Sequence, residues 1–149
     1  KGGGSDSASR VVMHTPSAGT QGVIDTVLAC VREKAANACP PLVVGVGVGA
    51  TFDKVGGLAK RALMRPLGTV NPDPDAAAFE AELLSAINAT GIGAGALGGQ
   101  TTALGVRVST APCHIAALPV AVNMSCSATR RATVDIPTHV VKVSESEGE

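Results

Sequence analysis

The run Leu42-Val-Val-Gly-Val-Gly-Val48 constrains what this chain can fold into more than any other stretch. It is apolar at every non-glycine position, so a strand made from it offers water neither face and reads as central, buried on both sides. Gly47 and Gly49 let the backbone turn sharply, and Thr51 follows as an N-cap for a helix running to about Met64. Phe52, Val55, Leu58, Ala59 and Ala62 are expected to face inward from that helix. A strand, a glycine turn and a helix N-terminus together make a corner that favours anions, because free N–H groups and the helix dipole both point at it. Cys39 opens this unit, immediately before Pro40 and Pro41 stop the preceding helix.

The other elements arrange themselves around that strand. Arg10 to His14 suits a short strand, and Val23, Ile24, Val27, Leu28 and Val31 form the stripe of a helix between Thr20 and Ala38. Cys30 falls beside the stripe and reads as a packing residue. Asp73 can cap a helix from Pro74 to Asn88 that buries Phe79, Leu83, Leu84 and Ile87. Thr90 to Gln100 is too rich in glycine for a regular element. Strands are expected at Thr101 to Thr110, Ile115 to Met124 and Ala132 to Ile136. The predicted fold class is α/β or α+β, a layered domain with a mixed sheet of about four to five strands flanked by about three helices.

Composition removes several functions. Twelve basic and twelve acidic residues cancel, and two Phe with no Tyr or Trp leave no stacking platform, so nucleic acid is not expected as a partner. The apolar runs Leu42 to Ala50 and Ile115 to Met124 are about half of what a membrane-spanning helix needs, so no membrane partner is expected either. No signal peptide is visible, and a chain opening without Met reads as a fragment whose targeting sequence lies elsewhere. The glycine turn lacks the Gly-Lys-Ser/Thr ending of a P-loop and the dinucleotide spacing, which leaves little for nucleotide binding.

Four cysteines at positions 30, 39, 113 and 126 are too dispersed for a disulfide frame. Cys39 and Cys126 both stand at ends of apolar strands beside polar or glycine-rich turns, and each fits either packing or metal ligation. His114 lies in a turn between two strands, as a ligand, a carboxylate donor, a general acid or a structural histidine. Arg130 and Arg131 suit a carboxylate-gripping pair or a solvated surface pair. Lys1 to Ser9 is either a linker or a loop whose glycine N–H groups approach a ligand.

Four separated motifs narrow these alternatives. Lys1-Gly-Gly-Gly-Ser, the Cys39 to Lys54 unit, Gly91-Ile-Gly with Gly98-Gly-Gln-Thr-Thr-Ala-Leu, and Ala111-Pro-Cys-His running to Met-Ser-Cys126 together resemble the class I, iron-sulfur fumarate hydratases and L-tartrate dehydratases. The likeness is to the C-terminal half of the alpha subunit or N-terminal catalytic domain, and it extends to about Ile136. It implies that residues 1–137 are part of the cluster-binding domain; 138–149 lies outside the likeness, and its acidic, polar end from Ser144 to Glu149 marks a tail expected to be disordered.

The resemblance implies a 4Fe-4S cluster held by three thiolates, with one iron left open as a Lewis acid. Cys39 and Cys126 match the second and third ligands, and the first belongs to a missing upstream segment. Gly3 and Gly4 match a backbone loop that meets a small dicarboxylate substrate, and His114 matches a histidine near substrate and cluster. Arg130 is carried as a further carboxylate ligand. A C-terminal domain or beta subunit, a dimer in the complete enzyme and a cytoplasmic or mitochondrial-matrix setting are also implied. The sequence departs at Cys113, where Thr is usual, and at Ala50, where Gly is common. Anaerobic iron reconstitution of this polypeptide alone is expected to give no stable, stoichiometric four-iron cluster, because two thiolates are too few. Iron counting at four per chain would overturn that expectation.

Overall fold

The computed structural model describes residues 1–137, so the tail expected at 138–149 lies outside the described residues. In chain order the elements are α1 (Gly3–Ser7), β1 (Arg10–His14), α2 (Gly19–Lys34), β2 (Leu42–Gly49), α3 (Phe52–Ala62), α4 (Pro74–Asn88), β3 (Ala103–Ala111) and β4 (Leu118–Ser125). The four strands form one sheet in the order β1-β4-β2-β3. β2 runs parallel to β3 and antiparallel to β4, while β1 runs antiparallel to β4. This is the mixed, helix-flanked α/β sheet that the sequence implies.

The two faces of β2 are filled in different ways. Leu42, Val44 and Val46 join Val27 and Val31 of α2 and Leu83 and Ile87 of α4 in the main core, side chain against side chain. Gly45 and Gly47 occupy the other face, and there α3 lies with its backbone directly on the strand. A Cβ at Gly45 would stand 2.3 Å from the Ala59 carbonyl oxygen, and one at Gly47 2.6 Å from that of Val55. The alternation of valine and glycine therefore encodes two packing distances on one strand.

α4 begins as expected, with the Asp73 carboxylate accepting from the N–H groups of Asp75 and Ala76 at 3.0 and 3.4 Å. Its exposed-looking Glu80 turns inward. The Glu80 carboxylate accepts from the Val108 N–H at 2.7 Å and from Asn71 at 2.9 Å, pairs with Arg65, and stands 3.9 Å from Arg107. One buried acid thus ties α4 to β3 and to the loop after α3.

Several expectations are corrected. Phe52 is 66% exposed, because it is the first residue of α3 and precedes the turn that meets the sheet. Leu58 is only half-buried on that helix. Ala132 to Ile136 makes no strand: the segment is exposed, and β1 already occupies the sheet edge beside β4. Ile115 is 90% exposed, and β4 starts only at Leu118. A fourth helix, α1, forms where the glycine-rich start suggested a loop, because Ser5 and Ala8 are buried and outweigh glycine's poor helix propensity. Cys30 is fully buried and its thiol donates to the Ala8 carbonyl, so the segment after α1 covers a second side of α2.

Glu80→Ala leaves Arg107 and the Val108 N–H buried without their acceptor, and should lower the unfolding free energy by about 3–5 kcal/mol in urea titration. A loss under about 1 kcal/mol would show that the network is not needed for stability.

Candidate functional site

The sheet register decides which candidate residues meet. Val43 of β2 pairs with Ser125 of β4, so the residues just before β2 and just after β4 share one end of the sheet. Cys39 and Cys126 are those residues. The turn after Cys126 reaches across: Arg130 Nη1 donates to the Cys39 carbonyl at 3.0 Å and to the Pro41 carbonyl at 2.7 Å. Gly95 of the second glycine loop donates its N–H to the Pro40 carbonyl at 2.8 Å. Cys39 itself is exposed and left-handed, with φ 55°, so its thiol-bearing backbone is pinned from two sides.

The N-terminal glycines close the third side. A Cβ at Gly4 would lie 2.7 Å from the Asn37 carbonyl oxygen, so only glycine lets α1 sit against the turn that leads into Cys39. A Cβ at Gly2 would be 3.5 Å from the Cys126 sulfur, and Gly3 faces open space. Ser5 is buried beneath them.

These neighbours set the charge on Cys126. The Ala128 N–H, then the Ser5 hydroxyl, and more weakly the Gly2 N–H and the Ser127 hydroxyl lie near its sulfur and draw its pKa down to about 7 against desolvation, while the Ser5 hydroxyl proton itself goes to the Gly2 carbonyl at 2.8 Å. Cys30 is the contrast, raised to about 11 by burial. Above neutral pH Cys126 is a thiolate, the form in which sulfur is a nucleophile or metal ligand. Lys1 carries its ammonium nearby, 3.2 Å from Asp6, and its own pKa is lowered chiefly by desolvation.

Cys39 and Cys126 thus bring two sulfurs, a group type that can ligate metal as thiolate, to one end of the sheet, and the pKa of Cys126 is lowered towards that form. Among the described residues, no group of three or more His, Cys, Asp or Glu could hold a metal ion. Arg130, expected to grip a carboxylate, spends Nη1 on the two carbonyls.

His114 lies elsewhere. It stands in the turn before β4, whose eight residues span roughly 24 Å, so it occupies the opposite end of the sheet from Cys126. Its Nδ1 accepts the Ala116 N–H at 3.1 Å, which leaves Nε2 as the proton-bearing nitrogen of the neutral ring. Cys113 and His114 line a cavity of about 720 Å³ at the carboxyl ends of β2 and β3, together with Asp75 and Glu82. Sequence reasoning missed Ser5 and the Ala128 N–H, since their proximity to Cys126 follows from how α1 and the turn after β4 pack. No helix among the described residues is long and apolar enough to cross a membrane.

Comparison with known proteins follows the same segments. The family described as Fumarate hydratase (Fumerase) matches residues 1–135. A relative from Methanocaldococcus jannaschii, provisionally named L(+)-tartrate dehydratase subunit alpha, is 46% identical over 132 residues, covering 89% of this chain and 46% of the relative. The L(+)-tartrate dehydratase subunit alpha of Escherichia coli strain UTI89 is 36% identical over 135 residues, or 91% of this chain and 45% of the relative. That of strain K12 is 37% identical over 133 residues, or 89% and 44%. The chain spans about half the length of the curated relatives it matches.

Alkylation of Cys126 by iodoacetamide, followed by mass spectrometry across pH, should rise with a midpoint near 7. Ser5→Ala should move that midpoint up towards the ordinary value of 9.0. Because the folded state depresses this pKa, the associated stability is fully present above 9.0 and is lost as pH falls through about 7. An unchanged midpoint in the variant would remove Ser5 from the site.

Proposed function

The chain belongs to the fumarate hydratase (Fumerase) family, and on that premise we propose that it is the cluster-binding part of an iron-sulfur hydro-lyase. The complete enzyme reversibly adds water across a dicarboxylate double bond, interconverting fumarate and malate. The observation that carries the reading is the meeting of the Cys39 and Cys126 segments at one sheet end within a family match over residues 1–135.

In this reading Cys39 and Cys126 are two of three ligands to a 4Fe-4S cluster, and the third comes from a segment upstream of Lys1. When bound, the cluster supplies an open iron as Lewis acid for substrate oxygens and for the hydroxyl gained or lost. The chain's own residues prepare that site. The groups around Cys126 lower its pKa to about 7, which raises the thiolate share available to a metal, and Arg130 keeps the Cys39 backbone in register with it. Gly3, which faces open space, offers a backbone that a dicarboxylate can approach closely, and Gly4 keeps α1 seated so that it can. Arg130 works here as a clamp on Cys39, and a carboxylate contact would fall to the rest of its guanidinium. Within its own chain His114 is too far from Cys126 to act there, so a catalytic His114 serves the thiol end of a second copy in a dimer.

The relatives are named as alpha subunits, which supports a beta subunit or C-terminal domain as the partner that supplies the remaining substrate groups and the general base. A cytoplasmic or mitochondrial-matrix setting suits a cluster that oxidants attack. The second reading is L(+)-tartrate dehydration, favoured by the names of the relatives given above.

Cys39→Ser and Cys126→Ser, each made in the complete assembly, should lower activity by more than roughly 100-fold, beyond the loss of an outer-shell partner, with circular dichroism unchanged. Activity on fumarate and on L(+)-tartrate, measured side by side, decides between the two substrates. Full activity in both serine variants would sink the cluster reading in favour of a scaffold that only packs its cysteines.

A further inference from the structure

The two outer strands of the sheet end their ladders in different ways. β3 has only β2 beside it, and its far side is met by side chains of α4. Glu80 accepts the Val108 N–H at 2.7 Å, while Asn88 accepts the Ala103 N–H at 2.9 Å and donates to the Ala103 carbonyl at 3.2 Å. Arg107 reaches from the same strand to the Pro66 carbonyl at 3.0 Å, which draws the loop after α3 along that edge. Side chains thus stand where a further strand would pair, and they close this edge to other chains.

β1 is the other edge, with only β4 beside it. Among the described residues, no hydrogen bond from outside the β1–β4 ladder reaches the backbone of Val11, Val12 or Met13. Its two polar residues are turned back on α2. Arg10 pairs with Glu33, and His14 Nε2 donates at 2.6 Å to Thr26, whose hydroxyl proton goes to the Gly22 carbonyl. What remains is an apolar run with no proline, glycine or lysine to discourage pairing. Val11 is 39% exposed and Met13 47%, and the two share the face beside α3, where a Cβ at Gly56 would lie 3.9 Å from Val11 Cγ2. A bare apolar edge is a template for another strand.

We propose that this strand is β1 of a second copy of the chain, paired antiparallel about a two-fold axis at Val12, so that two four-stranded sheets become one. An edge that pairs with itself in this way is self-complementary, as a two-fold interface requires. Pairing centred on Val12 uses all five residues of β1 and sets each half-exposed Val11 opposite the partner's Met13 on one face. A slip of one residue would instead put those side chains on opposite faces. The formal net charge of zero leaves no overall repulsion between copies. Because β1 runs from the thiol end to the His114 end, antiparallel pairing lays the thiol end of each copy alongside the His114 end of the other. Cys126 and the partner's His114 then flank β4 strands three spacings apart, roughly 14 Å, against the roughly 24 Å within one chain. The use of that second-copy His114 rests on the hydro-lyase reading, whereas the pairing rests on β1 alone.

The test is sedimentation velocity on the 149-residue chain over a range of concentrations, which should show a reversible dimer. Val11→Lys and Met13→Lys, with folds checked by circular dichroism, should each weaken the dimer at least about tenfold. Leu97→Lys, at an apolar residue 90% exposed in the second glycine loop, should leave it unchanged. A chain carrying Val11→Lys with Met13→Lys and a chain carrying Val11→Glu with Met13→Glu should each be monomeric alone and associate one to one when mixed, since opposite charges then face each other across the axis. Hydrogen exchange at the Val11 to Met13 amides should slow as the dimer fills. A chain still monomeric at about 1 mM would overturn the pairing and leave the edge to a different partner. A dimer indifferent to both single lysine variants, or charged chains that fail to associate when mixed, would overturn it as well. The hydro-lyase reading fails separately. Edge pairing as described, in an assembly indifferent to Cys39→Ser and Cys126→Ser, keeps the dimer and loses the hydro-lyase. An assembly that needs both cysteines, while the lysine variants dimerise like the parent, keeps the hydro-lyase and loses the edge pairing.

Discussion

The contact of α3 with the glycine face of β2 is the constraint on which the rest of the molecule depends. At Gly45 and Gly47 the helix backbone sits where side chains would normally be, closer than any residue with a Cβ permits. That approach lets Val55 and Ala59 reach Ala121 across the sheet and fixes α3 over both central strands. It also fixes where the helix ends. Lys60, Leu63 and Met64 are delivered to the wall of a second cavity, beside Val43 and Ser125 at the thiol end, because the helix has no freedom to slide along a strand it touches backbone to backbone.

The sheet order then turns distant sequence into neighbourhood. β2 and β4 are antiparallel neighbours, so the residue before one and the residue after the other face each other, although most of the chain separates them. β4 also acts as a spacer between two chemically different ends. One carries exposed Cys39, the acidified Cys126 thiol and the lysine pair on Asp6, and the other carries His114 with Asp75 and Glu82 of the first cavity. Ligand sites of parallel sheets usually lie at the carboxyl ends of the strands, which here is the His114 end. The thiol end is the amino end of β2 and β3, and it owes its chemistry to the turns around it.

Much of the fold was legible because it is written in local period. The α2 and α4 stripes, the Asp73 cap and the doubly buried β2 follow from spacing alone, and all were found where periodicity put them. What escaped was set by tertiary contact. α1 is helical because Ser5 and Ala8 find a buried seat, which three glycines in a row conceal. Val134 and Ile136 suit a strand by composition, yet no open sheet edge awaits them beside β4. Cys39 and Cys126 stood out as strand-end thiols. That a hydroxyl and backbone N–H groups would surround only the second could not be read from either flank. The ion network of Glu80 was equally hidden, since an acid within a helix stripe looks like a solvated residue until β3 is placed against it.

The two bonds from the Arg130 guanidinium to the Cys39 and Pro41 carbonyls tie the cysteine segments together, side chain to backbone. On the proposed cluster reading, a centre assembled between those sulfurs would meet loops whose conformational entropy has already been surrendered during folding. Its loss and replacement would then be binding equilibria on a standing frame, unlike a zinc finger, in which metal departure is also unfolding.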